Sequence, residues 1–154
     1  MQTAIETDAA IDDPLDAMLG HQLRRTSVAV MAALTEVLEP VKLSPGEASL
    51  LMLIGANPGS TQSGISRSLR AQPANLVPLI SRLEAIGALQ RIPGKGRAIA
   101  LTLSPVGETL HLAVEAAFAR HEARLARGLR PEEQEQAIAL LRRVCANACC
   151  KDSD

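Results

Sequence analysis

The chain has 154 residues, 16 Lys or Arg against 17 Asp or Glu, and a hydrophobic fraction of 47%. That length suits one domain able to bury a core without disulfides or a structural metal, and no apolar run approaches the roughly 18 to 20 residues that cross a bilayer. The N-terminal "MQTAIETDAAIDDP" is acidic where a secretory leader is basic, so a cytoplasmic protein without a membrane partner is expected.

Residues 1–14 are polar, aperiodic and end in Pro14, and are expected to form a disordered acidic arm. From Leu15, apolar residues recur at Leu19, Leu23, Val30, Leu34, Leu38 and Val41, the three-to-four spacing of a long amphipathic helix ending near Pro40. In "SPGE", Ser44 is placed to cap a second helix, with Pro45 at its first position and Glu47 closing a capping box. That helix should run to about Ala56, where "NPGS" stops it. A short helix from about Thr61 to Leu69 turns Ile65 and Leu69 inward. After Arg70-Ala71-Gln72, a longer one from Pro73 to Ile86 buries Leu76, Leu79, Ile80 and Leu83 before Gly87 ends it. Short helix, tight turn and longer helix are the order of a helix-turn-helix.

Beyond Gly87 the apolar period changes from 3.6 to 2. Leu89 stands on one side of "PGKG", and Ile99, Leu101 and Leu103 alternate on the other, which predicts a β-hairpin. "SPVGE" then opens a helix to about Arg127, and Pro131 with Glu132 and Glu133 opens a last one to about Cys149. The acids at the start of this last helix, and Arg142, Arg143 and Lys151 towards its end, suit the helix dipole. The expected fold is therefore all-α with a small β-hairpin wing: six helices, a winged helix-turn-helix and an α-helical dimerisation base. Residues 44–104 would form the DNA-binding lobe, and residues 15–43 and 105–150 the dimerisation helices.

Charge follows the same division. Residues 1–20 carry Glu6, Asp8, Asp12, Asp13 and Asp16 with no Lys or Arg. Residues 61–97 carry Arg67, Arg70, Arg82, Arg91, Lys95 and Arg97 against Glu84 alone. A basic centre in a nearly neutral chain points to one anionic partner met by one face. A winged helix lays its longer helix in the major groove of duplex DNA and sets a cationic hairpin tip over phosphates or the minor groove. Gly94 and Gly96 let the tip turn tightly while Lys95 and Arg97 charge it; the same tip reads equally as a solvated turn.

The stretches "GEASLLMLIGANPGSTQSGISRSL", "LVPLISRLEAIGALQR" and "GRAIALTLSPVGETL", in that order and spacing, resemble the multiple antibiotic resistance regulator (MarR) type of winged-helix transcription factor from about residue 15 to residue 150. The resemblance implies a homodimer whose first and last two helices form the base and whose paired reading lobes bind a pseudo-palindromic operator. It implies a repressor released by a small-molecule effector, an aromatic acid or its coenzyme A thioester. One departure lies in the wing. The family commonly has Asp-x-Arg before the second wing strand; here Arg97 matches the arginine, but Lys95 stands where the aspartate would orient it.

Candidate DNA-binding residues are Thr61 and Gln62 at the start of the short helix, Arg70 and Arg82 as phosphate clamps, Gln72, Ala74 and Asn75 at the N-terminus of the longer helix, and Lys95 and Arg97 in the wing. Gln72 and Asn75 are amides able to bond adenine in two places, and Ala74 fits a thymine methyl; both amides fit helix capping as well. Pro78, inside the longer helix, removes one backbone bond and should bend it. The region matching the family's effector site includes His21, Arg24, Arg25 and Thr26 of the first helix and His111 after the wing, positions that dimer packing would also explain.

Cys145 and Cys149 fall on one face of the last helix and Cys150 follows; they are expected to be buried or idle thiols, with a redox role as the alternative. With no grouped histidines, paired acids or phosphate loop, no enzyme, metal site or cofactor is expected. The functional alternative from another class is a winged-helix protein-interaction module whose basic face meets an acidic partner.

Overall fold

In the computed structural model, which describes residues 13–94, 96 and 98–149, the elements run α1 (Leu19–Leu38), α2 (Pro45–Ala56), β1 (Ser60–Thr61), α3 (Gln62–Leu69), α4 (Pro73–Ala85), β2 (Leu89–Pro93), β3 (Ile99–Leu103), α5 (Pro105–Leu125) and α6 (Pro131–Cys149). The fold class expected from the sequence is the one observed. The short strand β1 has no counterpart in the sequence reading. It extends the hairpin to a three-stranded antiparallel sheet, β1-β3-β2, with Ser60 opposite Leu101 and Arg91 opposite Leu101 on the other side.

The helix boundaries follow local chemistry. Ser44 caps α2 in a full capping box: its hydroxyl accepts from Glu47 N–H, and the Glu47 carboxylate accepts from Ser44 N–H at 2.7 Å. Thr61 caps α3 and Ser104 caps α5 in the same manner, each accepting from a glycine N–H three residues on. Helix α1 begins at Leu19, later than the expected Leu15, because Asp13 draws the chain into a turn. Its carboxylate accepts from Leu15 N–H at 2.9 Å, and its carbonyl from Asp16 N–H. Asp13 and Pro14, expected to end a disordered arm, belong to this turn, and residues 1–12 lie outside the described chain. In α6, Glu132 and Glu133 stand in the first turn as expected, but Arg142 and Arg143 fall short of its last turn and Lys151 lies outside the described residues.

Helix α2 is apolar nearly all round and occupies the centre, packed on α1, α4 and α5. Its Leu50, Leu51 and Ile54 are fully buried with Leu38 of α1, Ile65 of α3, Leu76 and Leu83 of α4, and Val114 of α5. One strand assignment changes: Ile99, expected inward, is 55% exposed, and the buried pair in β3 is Ala100 and Leu101. β1 and β2 pair with the two edges of β3 while α2, α3 and α5 pack against it, and burial along the strand does not alternate. None of the described helices is long and apolar enough to cross a membrane.

Candidate nucleic-acid interface

The turn between α3 and α4 is fixed from within. Arg70 takes a left-handed conformation, φ 50°, which costs energy for a residue with a Cβ. Ser66, almost fully buried, stabilises it by donating to the Ala71 carbonyl at 2.6 Å, while Ala71 N–H returns a bond to the Ser66 carbonyl. The turn thereby sets the angle between the two helices and presents the N-terminus of α4 outward.

Gln72, Pro73, Ala74 and Asn75 are all exposed there. The Gln72 side chain makes no capping bond, which removes one of its two readings and leaves its amide free to reach outward. Thr61 is engaged as the cap of α3, and Gln62 reaches across to the Pro73 carbonyl at 3.4 Å. These two are therefore positioning groups for the turn as much as surface groups. Together with Ile80, Arg91 and Ile99 they line an open cleft of about 480 Å³ between α3–α4 and the sheet. Helix α4 runs on through Pro78.

The cations divide into held and exposed. Arg91 is not part of the free basic face, because it grips Glu84 through Nε and at 3.1 Å through a terminal nitrogen, tying β2 to α4. The Glu84 hydrogen bond and charge raise the Arg91 pKa further above its ordinary value. Arg82 is half exposed, 3.9 Å from Glu47. Arg70 donates to the Cys145 Sγ at 3.1 Å, which joins the helix-turn-helix to α6. Lys95 and Arg97, the cations expected at the wing tip, lie outside the described residues. The tip's base is closed by Gly94 N–H donating to the Ala98 carbonyl at 2.9 Å, and Gly96 takes the positive φ that a turn of this kind needs.

The expected effector residues have separate neighbours in the single chain. His21 is 3.9 Å from Asp13, Arg25 is 3.3 Å from Asp16, and Arg24 and Thr26 are exposed. His111 lies elsewhere, against Gly55, in a cavity of about 280 Å³ where the end of α2, β3 and the start of α5 meet. Its Nε2 is buried with no hydrogen-bond partner among the described residues. Glu108, which the sequence reading did not single out, shares this cavity, one helical turn before His111. Of the buried or idle thiols expected, Cys145 and Cys149 are exposed in the chain rather than buried, and Cys150 lies outside the described residues. The described residues contain no cluster of metal-ligating side chains.

A capped short helix, a fixed turn, an outward helix N-terminus and a hairpin beside it define a winged helix-turn-helix protein. No protein-family model matches the chain. Among solved structures, the chain is similar to transcriptional repressors of this fold. The transcriptional repressor CouR bound to a 23-mer DNA duplex superposes with a TM-score of 0.79 and 26% identity, covering 88% of this chain and 99% of that one. CouR bound to p-coumaroyl-CoA gives 0.78 and 27%, covering 89% and 98%. Among curated proteins, the putative transcriptional regulatory protein for the hcr operon of Thauera aromatica is 26% identical over 129 residues, 82% of this chain and 78% of its own.

Proposed function

We propose that the protein is a cytoplasmic, homodimeric transcriptional repressor that binds a pseudo-palindromic DNA operator and is released by an aromatic acyl-coenzyme A thioester. The observation that carries this reading is the outward N-terminus of α4, set by a turn that the buried Ser66 holds and preceded by the exposed Arg70. The likeness to CouR supports both the DNA and the thioester. No catalytic step, metal or cofactor enters the reading. In each protomer α4 enters a major groove, Gln72, Ala74 and Asn75 face base edges, and Arg70, Arg82, Lys95 and Arg97 meet phosphates or the minor groove.

For the effector, the His111 cavity is the anchor. It lies between the reading lobe and the long helix leading to the base, so a group seated there is placed to change the angle of one against the other. Among the described residues the buried Nε2 of His111 lacks a hydrogen-bond partner, a polar group that a shift of the α5 end of the cavity would turn to the ligand. His21, Arg24, Arg25 and Thr26 are assigned to the polar end of the ligand across the dimer. Footprinting on the DNA upstream of the protein's own gene, with p-coumaroyl-CoA, p-coumarate and free coenzyme A in separate lanes, tests the whole reading. It expects one protected, nearly palindromic segment, released by a thioester alone. A protein that protects no segment at any concentration below bulk duplex binding is not a repressor of this kind.

Two variants separate base reading from charge. Asn75→Ala should cost about 1 to 3 kcal/mol on the operator and little on random duplex, as a base contact requires; equal losses on both would make Asn75 a positioning residue. Arg97→Ala should weaken binding to many sequences and lower the log-log salt slope by about one unit, the share of a single neutralised phosphate. An unchanged slope would place the wing tip in solvent. A shallow slope for the parent itself would favour an acidic protein partner instead.

A further inference from the structure

Helix α4 carries no charged residue from Pro73 to Ser81. Leu76 and Ile80 are buried and Leu79 is half-buried, so the helical period turns Ala74, Val77, Pro78 and Ser81 to the other side. Val77 lies on the flank of that side, 52% exposed, and belongs neither to the core nor to the apolar residues packed against it. A β-branched residue there also has a lower helix propensity than alanine. Among the described residues, none of the core packs on it.

The surroundings indicate what does. Arg67 near the end of α3, Arg70 in the turn before α4 and Arg82 directly after the uncharged stretch are exposed, with Arg70 also donating to Cys145 and Arg82 3.9 Å from Glu47. A neutral, apolar floor with a cationic rim is the complement of a major groove, where phosphates form the edges and the thymine C5-methyl is the apolar group on the floor. An acidic protein surface would place its charge on the rim equally well but offers no reason for an uncharged centre.

We propose that Val77 is a specificity-determining residue that packs on a thymine methyl in each half-site, beside the adenine read by Asn75, so that the operator has A·T pairs beneath the centre of α4. This rests on the DNA-binding reading above. The test uses the operator found by footprinting, resynthesised with deoxyuridine replacing one thymine at a time, which removes the methyl and nothing else. For the parent, one position per half-site should lose about fourfold in affinity, the worth of one buried methyl-sized contact. Val77→Ala should bind the unmodified operator about that much more weakly and show no further loss at the same position. Alanine on this outward face favours the helix, and an unchanged melting temperature confirms that the lobe is intact. If Val77→Ala and parent share one deoxyuridine profile, or the variant binds the operator like the parent, Val77 reads no methyl while the repressor reading stands. A parent that prefers no duplex overturns both, and that result is obtained before any variant is made.

Discussion

Gly107→Ala should lower stability by about 3 kcal/mol, the upper part of the usual range for overfilling a packed site, and depress the melting temperature by roughly 6 to 12 °C in a chain of this size. Gly107 is buried in the first turn of α5, and a Cβ there would overlap the backbone carbonyl of Ala88. No side chain can swing away to make room. Three hydrogen bonds lock the junction. Ser104 N–H donates to the Ala88 carbonyl at 3.0 Å, the Ser104 hydroxyl donates to the Gly87 carbonyl, and Gly107 N–H donates to that same hydroxyl at 3.0 Å. The end of α4, the start of β2, the end of β3 and the start of α5 therefore meet at one point, and an added methyl must push them apart. Ser104→Ala, which removes a cap and leaves the Gly87 and Gly107 backbone groups short of a partner, should cost less, about 1 to 2 kcal/mol. Calorimetry ranks the two. A Gly107→Ala protein melting within about 1 °C of the parent would mean that the contact is slack and that the wing root is held by something else.

How much of this was legible in the sequence depended on whether the cause was local. The capping box at Ser44, the helix start at Ser104-Pro105 and the stop at Gly87 each lie within four residues, and each formed where its residues required, while Thr61, read as the first residue of the short helix, is its cap. The core face of α4 followed from its period. What was missed needed distant partners. Strand β1 is two residues long and exists because β3 offers it an edge. Arg91 counts as a free cation in the sequence but is paired with Glu84 in the fold. Ile99 alternates correctly yet is exposed, because burial in β3 is set by what lies beside it. Val77 was passed over because its meaning lies in an exposure that no residue type reveals. In the candidate site, the N-terminus of α4 is legible as an outward helix end, whereas the effector residues, expected on the first helix and on the helix after the wing, have separate neighbours whose meeting no local pattern reveals.

Ile138→Asp with Leu141→Asp should break the dimer and reduce operator affinity by roughly two to four orders of magnitude, the advantage lost when two linked half-site contacts become independent. Helix α6 has no buried residue in the single chain, and its Ile138, Leu140 and Leu141 are each about half exposed, as are Met18 and Met31 at and within α1. Soluble monomers seldom leave so many large apolar side chains open over two helices; a two-fold partner laying the same surface against itself covers both sets at once. Ile138 and Leu141 are three apart and so lie on one side of α6, and neither belongs to the core of the reading lobe. Two carboxylates there should oppose association without unfolding the helix-turn-helix. Sedimentation at micromolar concentration should give the parent at twice the chain mass of 16.3 kDa and the variant at the chain mass itself. The variant should still bind a duplex holding one half-site as the parent does, because Asn75, Val77 and the arginines around them are untouched. A parent that sediments as a single chain, or a variant that keeps both dimer and operator, would place the apolar face of α6 outside the dimer base and require another explanation for its exposure.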